Sequence, residues 1–390
     1  MNLLQDILVI DFSQFLSGPS AALRLADMGA QVIKIEKPGT GDICRQLYVS
    51  DIIIEGESTI FHAINRNKKS YAADLKNADD LEKIKLLIAK ADVMMHNFRP
   101  GVMKRLGLDY EAVKKINPSI VYAEISGYGN EGPWKDLPGQ DLLLQSATGL
   151  TWLSNNSNEN PTPMGVAVVD IMAGTHIAQG ILATLYKRGI TGEGALVQVS
   201  MFESALDFQF EVLTCYYNDG NQLPVRSAIN SGHAYVAAPY GIYKTKDDYI
   251  ALAMTDIVRL GTLLQCEPLK EFTDASDWFD KRDDIKKMLA TLLINKTADH
   301  WLTILEKADV WCAPVLNYDK LMKEEGYRVL NMETTVKTSK GLSVKTTRCP
   351  IRIDGKILAG DKGAPSLGEH NDEINAEFGL DKELQPVIKR

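Results

Sequence analysis

The N-terminal third of the chain alternates short apolar runs, rich in β-branched residues, with longer stretches of helical spacing. ILVIDF, starting at Ile7, reads as a strand. SGPSAALRLADMG then reads as a turn and a helix, with Pro19 suited to an early helical position and Gly29 to the stop. AQVIKIE is a second strand, NADDLEKIKLLIAKA has helical spacing, and ADVMMHNF and PSIVYAEISGYG are further strands. Strands separated by helices imply βαβ crossovers, so the spacing predicts an α/β fold with a mostly parallel sheet and helices on both faces.

Farther along, residues 166–188 read as an extended segment leading into a long apolar helix, and GEGALVQVSMFESALDF as a strand followed by a helix. Around 220–235 the composition shifts to Gly, Asn, Ser and Pro, the mark of a linker or functional loop. YGIYKTKDDYIALAM is a hairpin with its turn at KTKDD, residues 256–310 are helix-rich, and short strands follow in METTVKT, LSVKTT and IRIDG. This places a large domain over 1–215, a smaller one over 225–325, and a C-terminal segment, 326–390, that rejoins the first.

Composition narrows the function. A formal charge of −8 argues against nucleic acid as the main partner, since phosphate backbones demand an excess of Lys and Arg. No window of about 18 apolar residues is read from the sequence, so no membrane span is expected. The N-terminus reads as a first strand, not a signal peptide. The five cysteines, Cys44, Cys215, Cys266, Cys312 and Cys349, are scattered and odd in number. They are expected to be reduced thiols of a cytoplasmic protein, packed as small apolar side chains, with no metal site.

Three constellations carry chemistry. The first βα turn lacks the three glycines of a dinucleotide site, offering only Gly18 before Pro19, and Glu36 at the end of the second strand is a weak ribose-binding candidate by itself. A basic and polar set comprises Lys37, Arg66, Lys68, Lys69, Lys76, the run Asn97–Gly101, Lys104 and Arg105. NFRPG follows an apolar strand, where open α/β sheets bind ligands, and its Asn97 and Arg99 supply donors suited to phosphate or ribose oxygens. The third is GVAVVDIMAG, Gly165 to Gly174, with Asp170 inside an apolar stretch. Two readings stand side by side: a helix N-cap, and a carboxylate kept in an apolar cleft because chemistry uses it, for example to attack an acyl thioester.

Several motifs together resemble the class III CoA-transferases, the CaiB/BaiF superfamily that includes formyl-CoA and carnitine CoA-transferases. They run in order along nearly the whole chain: VIDF from Val9, SGP from Ser17, ADMGAQVIKIEKPG from Ala26, NRNKKS from Asn65, DLK from Asp74, ADV from Ala91 with NFRPG, LGLDY from Leu106, NPSIVY from Asn117 and SGYG from Ser126. The Asp170 segment, GILATLYKR from Gly180, TGEG from Thr191, PYGIYKTKDD from Pro239 and LGEHNDE from Leu367 complete the series.

The resemblance implies a Rossmann-like large domain, a smaller α+β domain, and two chains interlocked as a ring-like homodimer. It implies acyl-CoA and a small carboxylic acid as substrates, with CoA thioesters and no permanently bound cofactor. Asp170 matches the family nucleophile, which passes through an aspartyl anhydride and an aspartyl-CoA thioester. CoA contacts carry over onto Leu16, Ser17, Lys37, Ala73, Lys76, Asn97, Phe98, Arg99 and Arg105, and Asp141 falls where some members hold a second carboxylate.

Two other readings share the fold: an α-methylacyl-CoA racemase and a CoA-binding protein without catalysis. Racemases place a His before the aspartate of the G-x-D motif and a Glu in the small-domain hairpin. Gln140 and Lys244 stand there instead, and Gln140 exchanges no proton at neutral pH. His176 is expected in a core or interface role. The glycine run of formyl-CoA transferases is absent, and Asn230–Tyr240 is the corresponding loop, with Gly232 for flexibility and His233 for a polar contact to the acceptor acid.

Overall fold

Six strands pair side by side in one fully parallel sheet in the computed structural model, which describes residues 3–47, 52–358 and 360–381. They are β1 (Leu8–Asp11), β2 (Gln31–Glu36), β3 (Lys68–Ala72), β4 (Val93–His96), β5 (Val121–Ser126) and β6 (Ala195–Ser200). The order across the sheet is β3-β2-β1-β4-β5-β6, the doubly wound order of dinucleotide-binding folds. Helices α1 (Ser17–Asp27), α2 (Ala78–Lys90), α3 (Asp141–Ala147) and α4 (Val168–Thr191) belong to the same part of the chain.

The strands are apolar on both faces because both are covered. Val9, Val32, Val93, Met95, Val121 and Ala123 point to the face of α1 and α4, where Ala22, Leu25, Ala173, Ile177 and Ile181 meet them. Leu8, Ile10, Ile33, Ile35, Met94 and Tyr122 point to the other face, against Ile84, Leu87 and Ile88 of α2. The register pairs Val9 with Val32 on one side and with Val93 on the other, so each layer is continuous across the sheet.

Helix α4 corrects one expectation. It contains an 18-residue window of mean hydropathy 1.4 and is long and apolar enough to cross a membrane by length and composition. Its packing supplies another reason for that composition: Val169, Ala173, Gly174, Ile177, Ala178 and Ile181 are buried. Gly174 marks its closest approach to α1. A Cβ there would stand 2.3 Å from Ser20 Oγ and 2.7 Å from the Ser17 carbonyl oxygen. Gly174→Ala is therefore expected to destabilise the protein by about 1–3 kcal/mol despite the better helix propensity of Ala, read as a lower urea midpoint at unchanged m-value.

The chain forms two units: 1–144 with 167–205 and 330–390, and 145–166 with 206–329. The expected boundary at 215 thus falls about ten residues earlier, and the segment 145–166 leaves the first unit. The second unit contains a three-stranded antiparallel sheet, β7 (Gly241–Lys244), β8 (Tyr249–Leu252) and β9 (Cys312–Pro314), with β8 central. Its core joins Tyr243, Ile250 and Leu252 to Leu260, Leu289, Trp301 and Leu305 from the surrounding helices.

The C-terminal helix α5 (Asn371–Phe378) explains the LGEHNDE motif. The Asn371 side chain accepts from the Ala72 N–H at 2.8 Å and donates to the Ala72 carbonyl at 3.0 Å. It imitates a neighbouring strand and satisfies part of the open edge of β3.

Candidate active site

The site grows from the turn between β1 and α1. Ser13 N–H donates to Asp11 Oδ1 at 2.9 Å, and Lys34 Nζ donates to the Ser13 carbonyl at 2.6 Å. The Gln14 N–H and carbonyl are both held by the Asn97 amide, at 2.8 and 2.7 Å. Phe15, in the left-handed region at φ 62°, donates its N–H to Asp42 at 3.2 Å. A positive φ in an aromatic residue is costly and persists only where the surroundings over-determine it. The turn delivers Ser17, buried, as the first residue of α1.

Asp170 meets that residue. Ser17 lies beside its carboxylate, at the positive end of the α1 dipole, and both the hydroxyl and the N–H of Ser17 draw the Asp170 pKa down. Asp170 is not the N-cap of its own helix. Ala167 occupies that position and makes no side-chain cap. Asp141 caps α4 from elsewhere: its Oδ2 accepts from the Val169 N–H at 2.8 Å and the Asp170 N–H at 3.0 Å. The two sequence readings of Asp170 are thereby separated, with the capping done by Asp141 and the Asp170 carboxylate turned to α1.

Burial raises the Asp170 pKa first, and the Asp141 charge raises it further. The Ser17 hydroxyl and N–H oppose both, and the result is about 6. Asp141 is brought in by a backbone contact. A Cβ on Gly139 would stand 2.6 Å from Gly127 Cα, and one on Gly127 would stand 2.9 Å from Gly139 Cα. The SGYG and PGQD motifs are two sides of one junction that only glycine permits. Gln140, beside Asp141, is exposed.

The structure sorts the basic set in two. Arg66 is buried and forked onto Asp27, with Nη2 to Oδ2 at 2.8 Å. Lys68 is buried and holds Asp11 at 3.1 Å, the Pro19 carbonyl at 2.9 Å and Asn65 at 2.9 Å. Lys69 pairs with Glu373 at 2.9 Å and Glu377 at 3.0 Å. Glu36 is taken by Arg45 at 2.7 Å and Ser70 at 2.7 Å, so it is not a ribose ligand. Lys37, Lys76, Arg99, Lys104 and Arg105 are exposed. Lys37, Lys76 and Arg99 follow the C-terminal ends of β2, β3 and β4, the end of an open sheet where ligands bind.

The remaining predicted contacts are more internal. Leu16 packs against Cys44, Phe61 and Ile64. Ala73 is buried and continues the β2–β3 pairing through its N–H to the Glu36 carbonyl at 2.9 Å. Phe98 stacks on His96, whose pKa burial lowers to about 4, so that its imidazole is neutral. His176 bonds Ser204 Oγ at 3.0 Å.

In the second unit, Gly232 lies against Tyr240: a Cβ there would be 2.9 Å from the Tyr240 ring. Close packing, more than flexibility, accounts for that glycine. His233 Nδ1 accepts from the Tyr235 N–H at 3.2 Å, and its Nε2 lies 3.9 Å from Glu211. Nothing in the sequence assigned Ser17 to Asp170, or Gly127, Gly139 and Gly174 to the site. The available signal was that each glycine sits inside a motif that also carries a functional residue.

Comparison with known proteins bears on the same residues. The model of CoA-transferase family III matches residues 4–371. The chain is 33% identical to acetyl-CoA:oxalate CoA-transferase of Acetobacter aceti, over 95% of each chain. It is 29% identical to human succinyl-CoA:glutarate CoA-transferase, over 96% of this chain and 85% of that one. Among solved structures, a CaiB/BaiF family protein from Brucella suis superposes with a TM-score of 0.83 at 29% identity, covering 95% of this chain and 98% of that one. The fold, the motif order and these likenesses agree, and the chain belongs to CoA-transferase family III.

Proposed function

We propose that this CoA-transferase moves CoA from a short acyl-CoA to a small carboxylic acid by a ping-pong cycle on Asp170. The observation that carries the reading is the part-buried Asp170 carboxylate set beside Ser17 at the start of α1, with Asp141 tied up behind it. The carboxylate attacks the thioester carbonyl, the C–S bond breaks, and CoA leaves as its thiolate from an aspartyl anhydride. The thiolate then attacks the Asp170 carbonyl and expels the donor acid, leaving an aspartyl-CoA thioester. The acceptor carboxylate repeats the sequence in reverse: it displaces the thiolate to form a new anhydride, and the thiolate takes the acceptor acyl group and frees Asp170. The Ser17 donors supply hydrogen bonds to negative charge that develops on the Asp170 carboxyl during these attacks.

Exposed Lys37, Lys76, Arg99 and Arg105 suit the phosphates of CoA. The names of the relatives direct the choice of acids to oxalate, glutarate and similar short diacids. A homodimer is part of the proposal, supported by exposed Ile171, Tyr186 and Ile190 on α4 and by exposed Phe210 and Tyr217. Sedimentation velocity of the full chain reads this directly, and a monomer at micromolar concentration would remove it.

The central test is a panel of acetyl-CoA and succinyl-CoA against oxalate, glutarate and mesaconate, with borohydride trapping in the presence of donor. Asp170 is expected to be recovered as homoserine in its tryptic peptide. Rapid transfer with Asp170 never modified would sink the mechanism.

Activity is also expected to depend on pH. The nucleophile works ionised, so kcat/KM should fall tenfold per unit as pH drops through about 6. Asp141→Asn keeps a cap acceptor but removes the charge that raises the Asp170 pKa, so the acidic limb should move below that of the parent enzyme. A limb that stays in place would show that burial alone sets it.

A further inference from the structure

We infer that Asn97 is a positioning residue for the transfer reaction, its side-chain amide ordering the Ser17 hydroxyl so that the hydroxyl proton points at Asp170. This rests on Asp170 being the nucleophile. The motif containing Asn97 suggested only a contact to CoA, but the structure shows the amide turned inward. Asn97 Oδ1 accepts from the Gln14 N–H at 2.8 Å and Nδ2 donates to the Gln14 carbonyl at 2.7 Å. That pairing settles which end is which, because a flipped amide would set donor against donor and acceptor against acceptor. Nδ2 therefore faces Ser17 Oγ, at 3.4 Å.

An amide nitrogen only donates, and a hydroxyl has one proton to give. With Nδ2 on one side, the Ser17 proton has no acceptor there. The carboxylate of Asp170 is the acceptor beside it: Gly174, one turn further along α4, packs against the Ser17 carbonyl, and Ser17 draws the Asp170 pKa down. The other groups that hold the turn do not reach Ser17: Asp11 takes the Ser13 N–H and hydroxyl, Lys34 the Ser13 carbonyl, and Asp42 the Phe15 N–H. Asn97 alone among these clamps also reaches the side chain that touches Asp170. Its place follows from topology, since β4 lies beside β1 with Asp11 opposite Met95, and Asn97 follows directly after β4.

A double-mutant cycle tests this, using the best donor and acceptor pair from the panel. Asn97→Ala and Ser17→Ala are each expected to lower kcat about tenfold, and the double variant by about tenfold as well, because both remove one unit. The acidic limb of kcat/KM should move up in Asn97→Ala, and the CoA Kd by calorimetry should stay within about twofold of the parent. Independent effects, with a loss of about a hundredfold in the double variant, would overturn the inference. So would weakened CoA binding with kcat intact. If Asn97→Ala is insoluble, Asn97→Ser carries the same cycle. Asp170→Asn separates the two levels: an active Asp170→Asn enzyme removes the nucleophile itself, whereas an inactive one with an additive cycle removes only the role of Asn97.

Discussion

Asp170→Asn should transfer CoA at least about a thousandfold more slowly than the parent while binding CoA normally, because an amide cannot form the anhydride or the enzyme thioester. Steady-state transfer and calorimetric CoA binding check the two halves of this statement. Wild-type rates in the variant would remove Asp170 from the reaction. The same substitution should leave a signature in stability. Burial and Asp141 raise the Asp170 pKa from 3.8 to about 6. Between those values the folded state binds more protons than the unfolded one, so stability falls as pH rises through that window and the loss is complete above it. An uncharged residue does not suffer this loss. Asp170→Asn should therefore be more stable than the parent above pH 6, by on the order of 1–3 kcal/mol, and close to it near pH 4. A nucleophile whose removal stabilises the fold is the mark of a group kept for chemistry.

Asp11→Ala is expected to have the largest effect on stability, a loss of about 3–5 kcal/mol in urea unfolding. Asp11 is fully buried, with Lys68 Nζ at 3.1 Å and the charge of Lys34 nearby. Removing it leaves two buried ammonium groups with one carboxylate, Asp42, at 2.8 Å from Lys34. Burial already lowers the Lys68 pKa to about 8 against the pull of Asp11. Without that pull it falls further below its unfolded value. The unfolded state then binds the extra proton, so the variant should regain stability as pH rises toward 10. Asp11→Ala with Lys68→Met should recover most of the loss, since an ion pair replaced as a whole leaves no orphan charge. A double variant as unstable as the single one would show that the hydrogen bond to the Ser13 backbone, more than the charge, is what Asp11 supplies.

Much of the fold was legible because its signals are local. LVID, QVIKIE and VMMH are strands whose alternate residues go to opposite layers, and the helices between them force parallel pairing. Asp170 was legible through the motif around it. Its partner was not. Ser17, more than 150 positions away, read as a ligand contact, and Asp141 as a second acid of open role. The basic set misled in an instructive way. Arg66 and Lys68 share a sequence neighbourhood with Lys37 and Lys76, yet they are internal, because Asp27 and Asp11 meet them from 39 and 57 positions away.

Local sequence thus determined the strand and helix alternation, the parallel sheet and the family, since periodicity and short motifs report the backbone near themselves. Tertiary structure decided which charges are buried in pairs and which remain on the surface. It also decided that Asp141 caps the helix while Asp170 faces Ser17. Both depend on groups distant in sequence meeting at one helix end, where a low local dielectric makes each partner's presence or absence count.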